Sequence, residues 1–490
     1  MLKTKNDKTV TATLFTVAFI AYSISTWVLT NKVFPLTIPV YPFAKDISTT
    51  VQALMFLVVA FAALYKPKLL VKGLFTYISA LCLSAGTIAV YFGVVQGLAF
   101  LSIIGLCLTF TGQVASLVLL GSALLELDTA RIGICVLVGL LVAYLLRYPL
   151  SYVSGIAGLI LYALLQIAVI VMLRNMTENT LTKARQDEAP AKVALTNPFS
   201  FLPLNHPAFI CLLLFQIAYG YALTFGETPY SPLLSVAGAI PLLAFFIYYL
   251  IRKRTIAVDM LFSIALLFVV AGYMFVPAAE LLGYSLASNI LEASNACYTL
   301  LFWSVLGALA KKNPRGTLGL FAWNGFLLCV GVLIGALLGR VANVMVPGLT
   351  GTAIVFTCIL VIAYLAYSMV YLGYKKFTFS NTISGLEISP HVIPVPVDNA
   401  NDTSTNEASI EDIVGTIAAV HGLTPRETEV FALLARGRTG TFIQQELVVS
   451  YNTVKTHVAH IYDKLGIHNH QELIDYVDAQ RKNASKDRVV

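Results

Sequence analysis

Long apolar segments constrain this chain more than any other feature of its sequence. Hydrophobic residues make up 58% of the sequence, charged residues only 12%, and the mean hydropathy is +0.80. An ordinary soluble protein is about a quarter charged. The sequence therefore predicts an all-α polytopic membrane bundle, because runs long enough to cross a bilayer occur at twelve places: 10–30, 47–65, 74–93, 98–125, 130–147, 152–173, 207–226, 233–251, 257–276, 284–310, 318–339 and 352–374.

Lysine and arginine residues between these runs predict the orientation, because cytosolic loops of membrane proteins carry an excess of positive charge. If the N-terminus is cytosolic, nineteen of these residues up to Lys376 fall on the inner side. Four fall on the outer side: Lys32, Lys45, Arg147 and Arg340. We therefore expect a multi-pass protein surrounded by membrane lipid, with both termini in the cytosol.

The basic loops repeat along the chain. Lys66 and Arg252 begin short loops 186 positions apart, and Arg131 and Arg315 lie in a second pair 184 positions apart. Two six-span halves joined by the longer polar stretch 174–206 resemble the major facilitator architecture over residues 10–374. This resemblance implies a 6+6 pseudo-repeat. The loop after the second span, YKPKLLVKG, lacks the aspartate and arginine that transporters of that family usually carry there.

Five polar residues within the predicted spans are candidates for binding a small-molecule ligand, because polar side chains are costly in a bilayer and often mark function. Glu292 is the only acid deep in a predicted span, with Asn289 and Asn295 about one turn to either side. Gln113 and Gln216 lie inside spans four and seven, which line the central cleft of facilitator-like folds. The alternative for each residue is an interhelical hydrogen bond. For Glu292 we favour a role in a cavity.

The composition changes after Lys376, so that the membrane domain is predicted to span 1–376. Residues 377–408 mix proline, serine, threonine and asparagine without helical periodicity, and they predict a flexible linker. Residues 409–480 predict a small cytosolic domain of four amphipathic helices, followed by a tail at 481–490. In the second of these helices, Thr424 is the predicted N-cap and forms a capping box with Glu427.

The third helix, NTVKTHVAHIYDKLG (452–466), combines one apolar face with polar donors near its N-terminus. The apolar face recurs with helical spacing, and Gly466 is predicted to end the helix. Lysine can donate to guanine, asparagine to adenine, and threonine or alanine can contact a thymine methyl group. The candidate DNA-binding residues are therefore Asn452, Thr453, Lys455, Thr456, His457 and Ala459.

Residues 421–480 resemble the DNA-binding domain of LuxR-type regulators, through LTPRETEVFALLARG, NTVKTHVAHIYDKLG and QELIDYV. The resemblance implies a helix-turn-helix fold in which Lys455, Thr456 and Ala459 contact bases, while Thr453 and His457 contact phosphates. Nine basic residues nearly balance eight acidic ones over 421–490, which predicts weak non-specific binding. We therefore expect a homodimer on paired half-sites of double-stranded promoter DNA, in a protein of the bacterial cytoplasmic membrane.

Three hypotheses for function follow from the two parts. The first is a membrane-embedded one-component transcriptional regulator that senses a small molecule through its membrane domain. The second is a transporter that also regulates its own genes, and the third is a transporter with a vestigial tail. We expect no enzymatic activity, cofactor or metal site, because the sequence offers no nucleophile–base set, no cofactor-binding loop and no cysteine or acidic cluster beside its histidines.

Overall fold

The computed structural model describes residues 5–65, 70, 73–186, 206–222, 236–275, 284–312, 314–345, 377–385, 410–436, 443, 446–447, 451–467, 472–477 and 479–480. Within these residues every regular element is a helix. The chain divides into two compact units, Met1–His391 and Val392–Val490.

The described part of the first unit contains eleven long helices. Helix α1 continues beyond Val28 through a π-helical turn and a short helix to Thr37. The helices are α1 Lys5–Val28, α2 Ala44–Tyr65, α3 Gly73–Val95, α4 Ala99–Ala123, α5 Thr129–Leu150, α6 Gly155–Gln186, α7 Pro207–Ala222, α8 Ala239–Arg252, α9 Val258–Phe275, α10 Tyr284–Lys312 and α11 Thr317–Met345.

Most of these helices are suited to a membrane. Among the described residues, nine helices are long and apolar enough to cross a bilayer, while α7 and α8 are shorter apolar helices. The predicted span at 352–374 lies outside the described residues. The polytopic helical bundle predicted from the apolar runs is confirmed for the eleven helices described.

Helix packing follows a six-helix repeat. Helix α3 packs extensively on α4, as α9 does on α10, and α1 packs on α5, as α7 does on α11. Each pair therefore recurs six helices later. The contacts between halves are paired in the same way, because α2 packs on α11 and α5 packs on α8. This is the arrangement that two halves of one topology produce when they face each other.

Glycines allow a close approach of helices α3 and α4. A Cβ atom added at Gly105 would lie 2.6 Å from the backbone nitrogen of Val90, and one added at Gly86 would lie 2.6 Å from the Gly105 carbonyl oxygen. Lipid is as apolar as the side chains, so close packing of small residues is a main source of attraction between membrane helices. Any larger residue here would force the two helices apart.

The segment predicted as a linker differs from expectation at its start, where Phe379–Gly385 forms a short helix, α12. The Asp259 carboxylate at the start of α9 accepts hydrogen bonds from the backbone N–H groups of Phe379 (2.7 Å) and Ser380 (3.3 Å). It thereby satisfies donors that a helix N-terminus leaves free. The Phe379 ring is buried and lies 5.4 Å from the ring of Phe262. Sequence periodicity missed this helix because its cap and its packing partners come from a distant part of the chain.

The second unit contains α13 Ile410–Val420, α14 Pro425–Ala435 and α15 Tyr451–Leu465, and residues 472–477 are also helical. The predicted capping box is confirmed: Thr424 Oγ1 accepts from the Glu427 N–H, and Thr424 N–H donates to Glu427 Oε2. Gly466 follows α15 with a φ of 66°, a left-handed conformation that glycine adopts without strain. The hydrophobic core of the second unit consists of Ile413, Val414, Ile417, Val430, Phe431, Leu434, Ile443, Val454, Ile461, Leu465, Leu473 and Val477.

Candidate functional site

Helix α15 separates an apolar face from the face that carries the DNA-binding candidates. Val454 and Ile461 are buried, while the side chains of Thr453, Thr456 and Ala459 are exposed. Asn452 and Lys455 belong to the same helix. His457 is half-buried at the margin of this surface. All six candidates fall within the first nine residues of this helix, and DNA contact by these residues stays a prediction.

A buried carboxylate on α14 holds α15 in place. Glu427 is only 4% exposed, and its Oε2 atom accepts a hydrogen bond from Lys464 Nζ at 2.7 Å. Lys464 also donates to the Gly422 carbonyl oxygen at 3.0 Å. The hydrogen bond from Lys464, followed by the one from the Thr424 backbone, lowers the pKa of Glu427 from 4.5 to about 2. The carboxylate is therefore ionised at neutral pH and remains paired with α15.

Two histidines support the same junction. His421 contacts the Lys464 carbonyl oxygen through Nδ1 (3.1 Å) and the Tyr476 hydroxyl through Nε2 (3.0 Å). Nδ1 of His460, whose side chain is exposed, lies 3.5 Å from Glu427 Oε1. Sequence analysis found the capping role of Glu427 but missed its ties to α15, because Lys464 lies 37 positions away. Within the described residues, no group of histidine, cysteine and acidic side chains could hold a metal ion.

The membrane unit encloses a cavity of about 290 Å³ between its two halves. Gln113 on α4 and Gln216 on α7 are both part of its wall, so two of the five candidate ligand residues line this cavity. Six helices contribute, three from each half, through Tyr22, Thr26, Leu29, Thr30, Phe34, Lys45, Thr49, Gln52, Phe56, Phe110, Gln113, Leu117, Gln216, Tyr219, Tyr298, Thr299, Phe302, Trp303, Gly325, Leu328, Cys329 and Val332.

Hydrogen-bonded amides line one part of the cavity. Gln52 Nε2 donates to Gln113 Oε1 at 3.2 Å, and Cys329 Sγ donates to Gln52 Oε1 at 3.5 Å. Gln52 and Gln113 belong to the first half and Cys329 to the second, so this network connects the halves across the cavity. All three side chains are buried. Sequence analysis singled out Gln113 but not Gln52, which lies nearer the end of its predicted span.

Glu292 is not in the wall of this cavity. Its Oε1 atom lies 2.5 Å from Arg147 Nη1, and the Arg147 guanidinium carbon lies 3.5 Å from the ring centroid of Tyr144. The side chains of Arg147 and Glu292 are 9% and 22% exposed. Sequence analysis counted Arg147 only as an outer-side charge, because the two residues are 145 positions apart. Tyr219, which lines the cavity, also interacts electrostatically with Glu292.

The two asparagines lie in separate surroundings. Asn295 lines a much smaller cavity of about 20 Å³ together with Tyr219 and Tyr298, which also line the larger one. Asn289 has a buried Oδ1 atom without a hydrogen-bond partner among the described residues. Gln113 and Gln216 thus line the large cavity, Asn295 lines the small one and Glu292 pairs with Arg147, whereas Asn289 belongs to none of the three. Ligand binding by these residues stays a prediction.

Comparison with known proteins identifies the second unit. Residues 421–477 match the family of bacterial regulatory proteins, luxR family. The Fimbriae Z protein of Salmonella typhimurium is 43% identical over 54 residues, which are 11% of this chain and 26% of that protein. Transcriptional activator protein ExaE of Pseudomonas putida is 40% identical over 57 residues, 12% of this chain and 27% of that protein. The chain thus covers less than a third of the length of either relative.

Comparison with solved structures identifies the fold of the membrane unit. A crystal structure of a bacterial homologue of the iron transporter ferroportin, in an outward-facing state, aligns with 75% of this chain and 100% of that chain. The TM-score is 0.50 and the sequence identity 15%. Identity this low shows the fold alone and carries no information about the substrate. Residues 421–477 are therefore a LuxR-type helix-turn-helix domain, and the membrane unit of the same chain shares its fold with the bacterial ferroportin homologue.

Proposed function

We propose that this chain is a membrane-embedded one-component transcriptional regulator. In this proposal a small molecule binds the membrane unit, and binding changes how the LuxR-type domain occupies a promoter. The proposal is non-enzymatic, since its two parts resemble proteins that bind DNA and proteins that bind and move solutes. It places the protein in the bacterial cytoplasmic membrane, in contact with lipid and with both termini in the cytosol.

One observation carries the proposal: helix α10 takes part both in the cavity and in the support of α12. Tyr298, Thr299 and Trp303 of α10 line the cavity, and the same helix contacts α12. Helix α12 lies at the start of the chain segment that leads to the DNA-binding domain, and Asp259 of α9 caps it. A ligand that favours one arrangement of α10 would therefore act on the segment leading to the LuxR-type domain.

Sensing of this kind requires that the ligand bind two conformations of the membrane unit with different affinities. A ligand shifts a conformational equilibrium only by the difference between its affinities for the two conformations. A cavity that is lined by both halves meets this requirement, because movement of one half against the other changes its wall. Facilitator-like halves are known to rock about a site near the middle of the membrane. We therefore place the ligand between the halves.

The proposed domain limits separate the part that binds the ligand from the part that binds DNA. We propose a membrane domain at 1–376, a connecting segment at 377–408, a DNA-binding domain at 409–480 and a tail at 481–490. Helix α12 makes the first part of the connecting segment a docked element. We further propose that two copies bind together on promoter DNA, since the near-neutral domain has little charge with which to hold DNA as a monomer.

Expression profiling tests the proposal. A strain lacking the gene is compared with its parent after exposure to a panel of candidate small molecules, and the affected promoter is then joined to a reporter. The proposal predicts a promoter that responds to a compound only when the full chain is present. A transporter that also regulates its genes would in addition carry measurable substrate flux in proteoliposomes. A transporter with a vestigial tail would show flux and no sequence-specific DNA binding.

A further inference from the structure

The cavity wall contains a single charged side chain. Of the described residues that line it, only Lys45 carries a charge at neutral pH, and the others are aromatic, aliphatic, amide, hydroxyl, thiol or glycine residues. Lys45 Nζ lies 5.2 Å from the centroid of the Phe34 ring, a cation–π distance. Positive charge within the membrane is costly unless it is paired or serves a function. The described part of the cavity wall therefore has a net positive charge, which an anionic ligand group would balance.

The acid next to Lys45 in the sequence forms its ion pair with an arginine. Asp46, its neighbour in sequence, pairs with Arg340 at 2.8 Å. Within the part of the chain that the structure describes, none of the ion pairs within 4.0 Å includes Lys45. Arg340 thus neutralises the carboxylate that would otherwise be the closest partner in sequence. This leaves the Lys45 ammonium group as a donor at the cavity wall.

A second donor of the wall comes from Gln113. Its Oε1 atom accepts from Gln52, and the Oε1 atom of Gln52 in turn accepts from Cys329. Gln113 therefore takes part in this network only as an acceptor. Its Nε2 group has no hydrogen-bond partner among the described residues. Gln113 is only 5% exposed, so its N–H groups face the cavity rather than bulk water. Two donors, one of them charged, define a site for an anionic hydrogen-bond acceptor.

The remaining wall favours a flat, apolar body. Trp303 stacks on Phe321 with 5.6 Å between ring centroids, and Phe19 packs edge-on against it at 5.1 Å. These two contacts fix the orientation of the Trp303 ring before any ligand binds. Phe302 and Tyr298 extend this aromatic surface along α10. The cavity volume of about 290 Å³ lies just below the range for small-molecule sites, about 300–1,000 Å³.

We infer that the cavity binds a small aromatic carboxylate, whose anionic group contacts Lys45 and Gln113 and whose ring packs against the aromatic surface around Trp303. This inference rests on the proposed function, because it names the chemical class that the membrane unit senses. A cationic ligand would find no carboxylate among the described residues of the wall.

Calorimetric titration of the full-length protein in lipid nanodiscs tests the inference. The probes are benzoate, phenylacetate and 3-phenylpropanoate, each beside its uncharged amide and the corresponding amine. We expect at least one acid to bind about tenfold or more tightly than its amide, the gain of a charge-assisted hydrogen bond. Lys45→Gln should remove this preference, while Lys45→Arg retains it. Gln113→Glu should weaken acid binding more than amide binding.

Lys32→Gln is the matched control. Lys32 is another lysine predicted on the outer side, but its Nζ atom donates to the Ser151 carbonyl oxygen and it does not line the cavity. Its replacement should leave the preference for acids intact. The inference is overturned if amides or amines bind as tightly as the acids, if Lys45→Gln keeps the preference, or if no acid binds to protein that still unfolds cooperatively on heating.

The two proposals fail in different ways. A promoter response to a neutral or cationic compound that requires the membrane unit would overturn the carboxylate site and leave the sensing function intact. Tight acid binding, together with a promoter that ignores the same acid, would support the site and contradict the sensing function.

Discussion

Arg147 and Glu292 form an ion pair across the two halves of the membrane bundle, with 2.5 Å between Nη1 and Oε1. Arg147 belongs to α5 in the first half, and Glu292 belongs to α10, the helix that also lines the cavity and contacts α12. Removing one partner of a buried pair costs about 3–5 kcal/mol, because it leaves a charge without compensation. The pair therefore favours the arrangement of halves in which both residues meet.

Glu292→Gln should consequently shift or abolish the ligand response. The physical reason is that the unpaired Arg147 no longer favours this arrangement of halves. Reporter dose–response curves at matched protein level measure the effect. Arg147→Gln is the reciprocal variant, and the double variant should lie closer to the wild type than either single one, since neither charge is left alone. An unchanged half-maximal dose in Glu292→Gln would show that the Arg147–Glu292 pair has no role in the ligand response.

The stability of the DNA-binding unit should depend on the ionisation of Glu427. Because folding lowers its pKa from 4.5 to about 2, its contribution to stability is fully present above pH 4.5 and is lost as the pH falls towards 2. Glu427→Gln removes the charged partner of Lys464 and weakens the capping box. It should lower the free energy of unfolding of fragment 392–490 by about 1–2 kcal/mol at pH 7, as measured by urea denaturation.

The same variant should also flatten the pH dependence of unfolding between pH 4.5 and 2. Glu429→Gln is its control, because Glu429 forms an exposed pair with Arg426 and should contribute less than about 1 kcal/mol. An equal decrease in the free energy of unfolding in Glu427→Gln and Glu429→Gln would show that the Glu427–Lys464 contact between α14 and α15 does not stabilise the unit more than an exposed ion pair does.

Lys455→Ala should weaken promoter binding and relax the preference at one base pair by about 1–3 kcal/mol. The physical reason is that a lysine side chain can donate to a guanine edge, whereas alanine cannot. Binding to a library of single-base variants of the promoter measures both effects. Lys482→Ala, which removes the same charge from the predicted tail, should weaken binding without altering the base preference. An unaltered profile for Lys455→Ala would mean that the base-contacting face is misassigned.

Fragment 392–490 should bind promoter DNA poorly as a monomer and more tightly once two copies are joined. The near balance of acidic and basic residues gives one copy little attraction to phosphates, so specificity has to come from two recognition helices on paired half-sites. Fusion to a dimeric coiled coil, compared with fusion to a monomeric variant of the same coil, isolates the effect. Tight binding by the monomeric fusion would contradict the account.

Local features were predictable from the sequence and distant ones were not. The Thr424–Glu427 capping box and the end of α15 at Gly466 depend on residues within one turn, so residue type and spacing sufficed. The apolar runs gave eleven of the membrane helices for the same reason.

The missed features all join distant parts of the chain. Asp259 caps a helix 120 positions away, and Arg147 meets Glu292 only after two halves of the bundle have packed. Lys45 entered the sequence analysis as a charge that fixes orientation. Its place in the cavity depends on six helices from both halves, and no single stretch of sequence contains that information.

The central claim is that the membrane unit controls the LuxR-type domain through α12. Phe379→Ala tests it most directly, because the Phe379 ring is 1% exposed and its loss should undock the helix. Phe100→Ala is the control, since Phe100 is 77% exposed. Reporter dose–response should be retained in the wild type and Phe100→Ala. It should be lost in Phe379→Ala and in fragment 392–490 fused to a dimeric coiled coil, while all four proteins bind the same promoter DNA in vitro. A ligand response that survives in the fragment, or that is undiminished in Phe379→Ala, would contradict the claim.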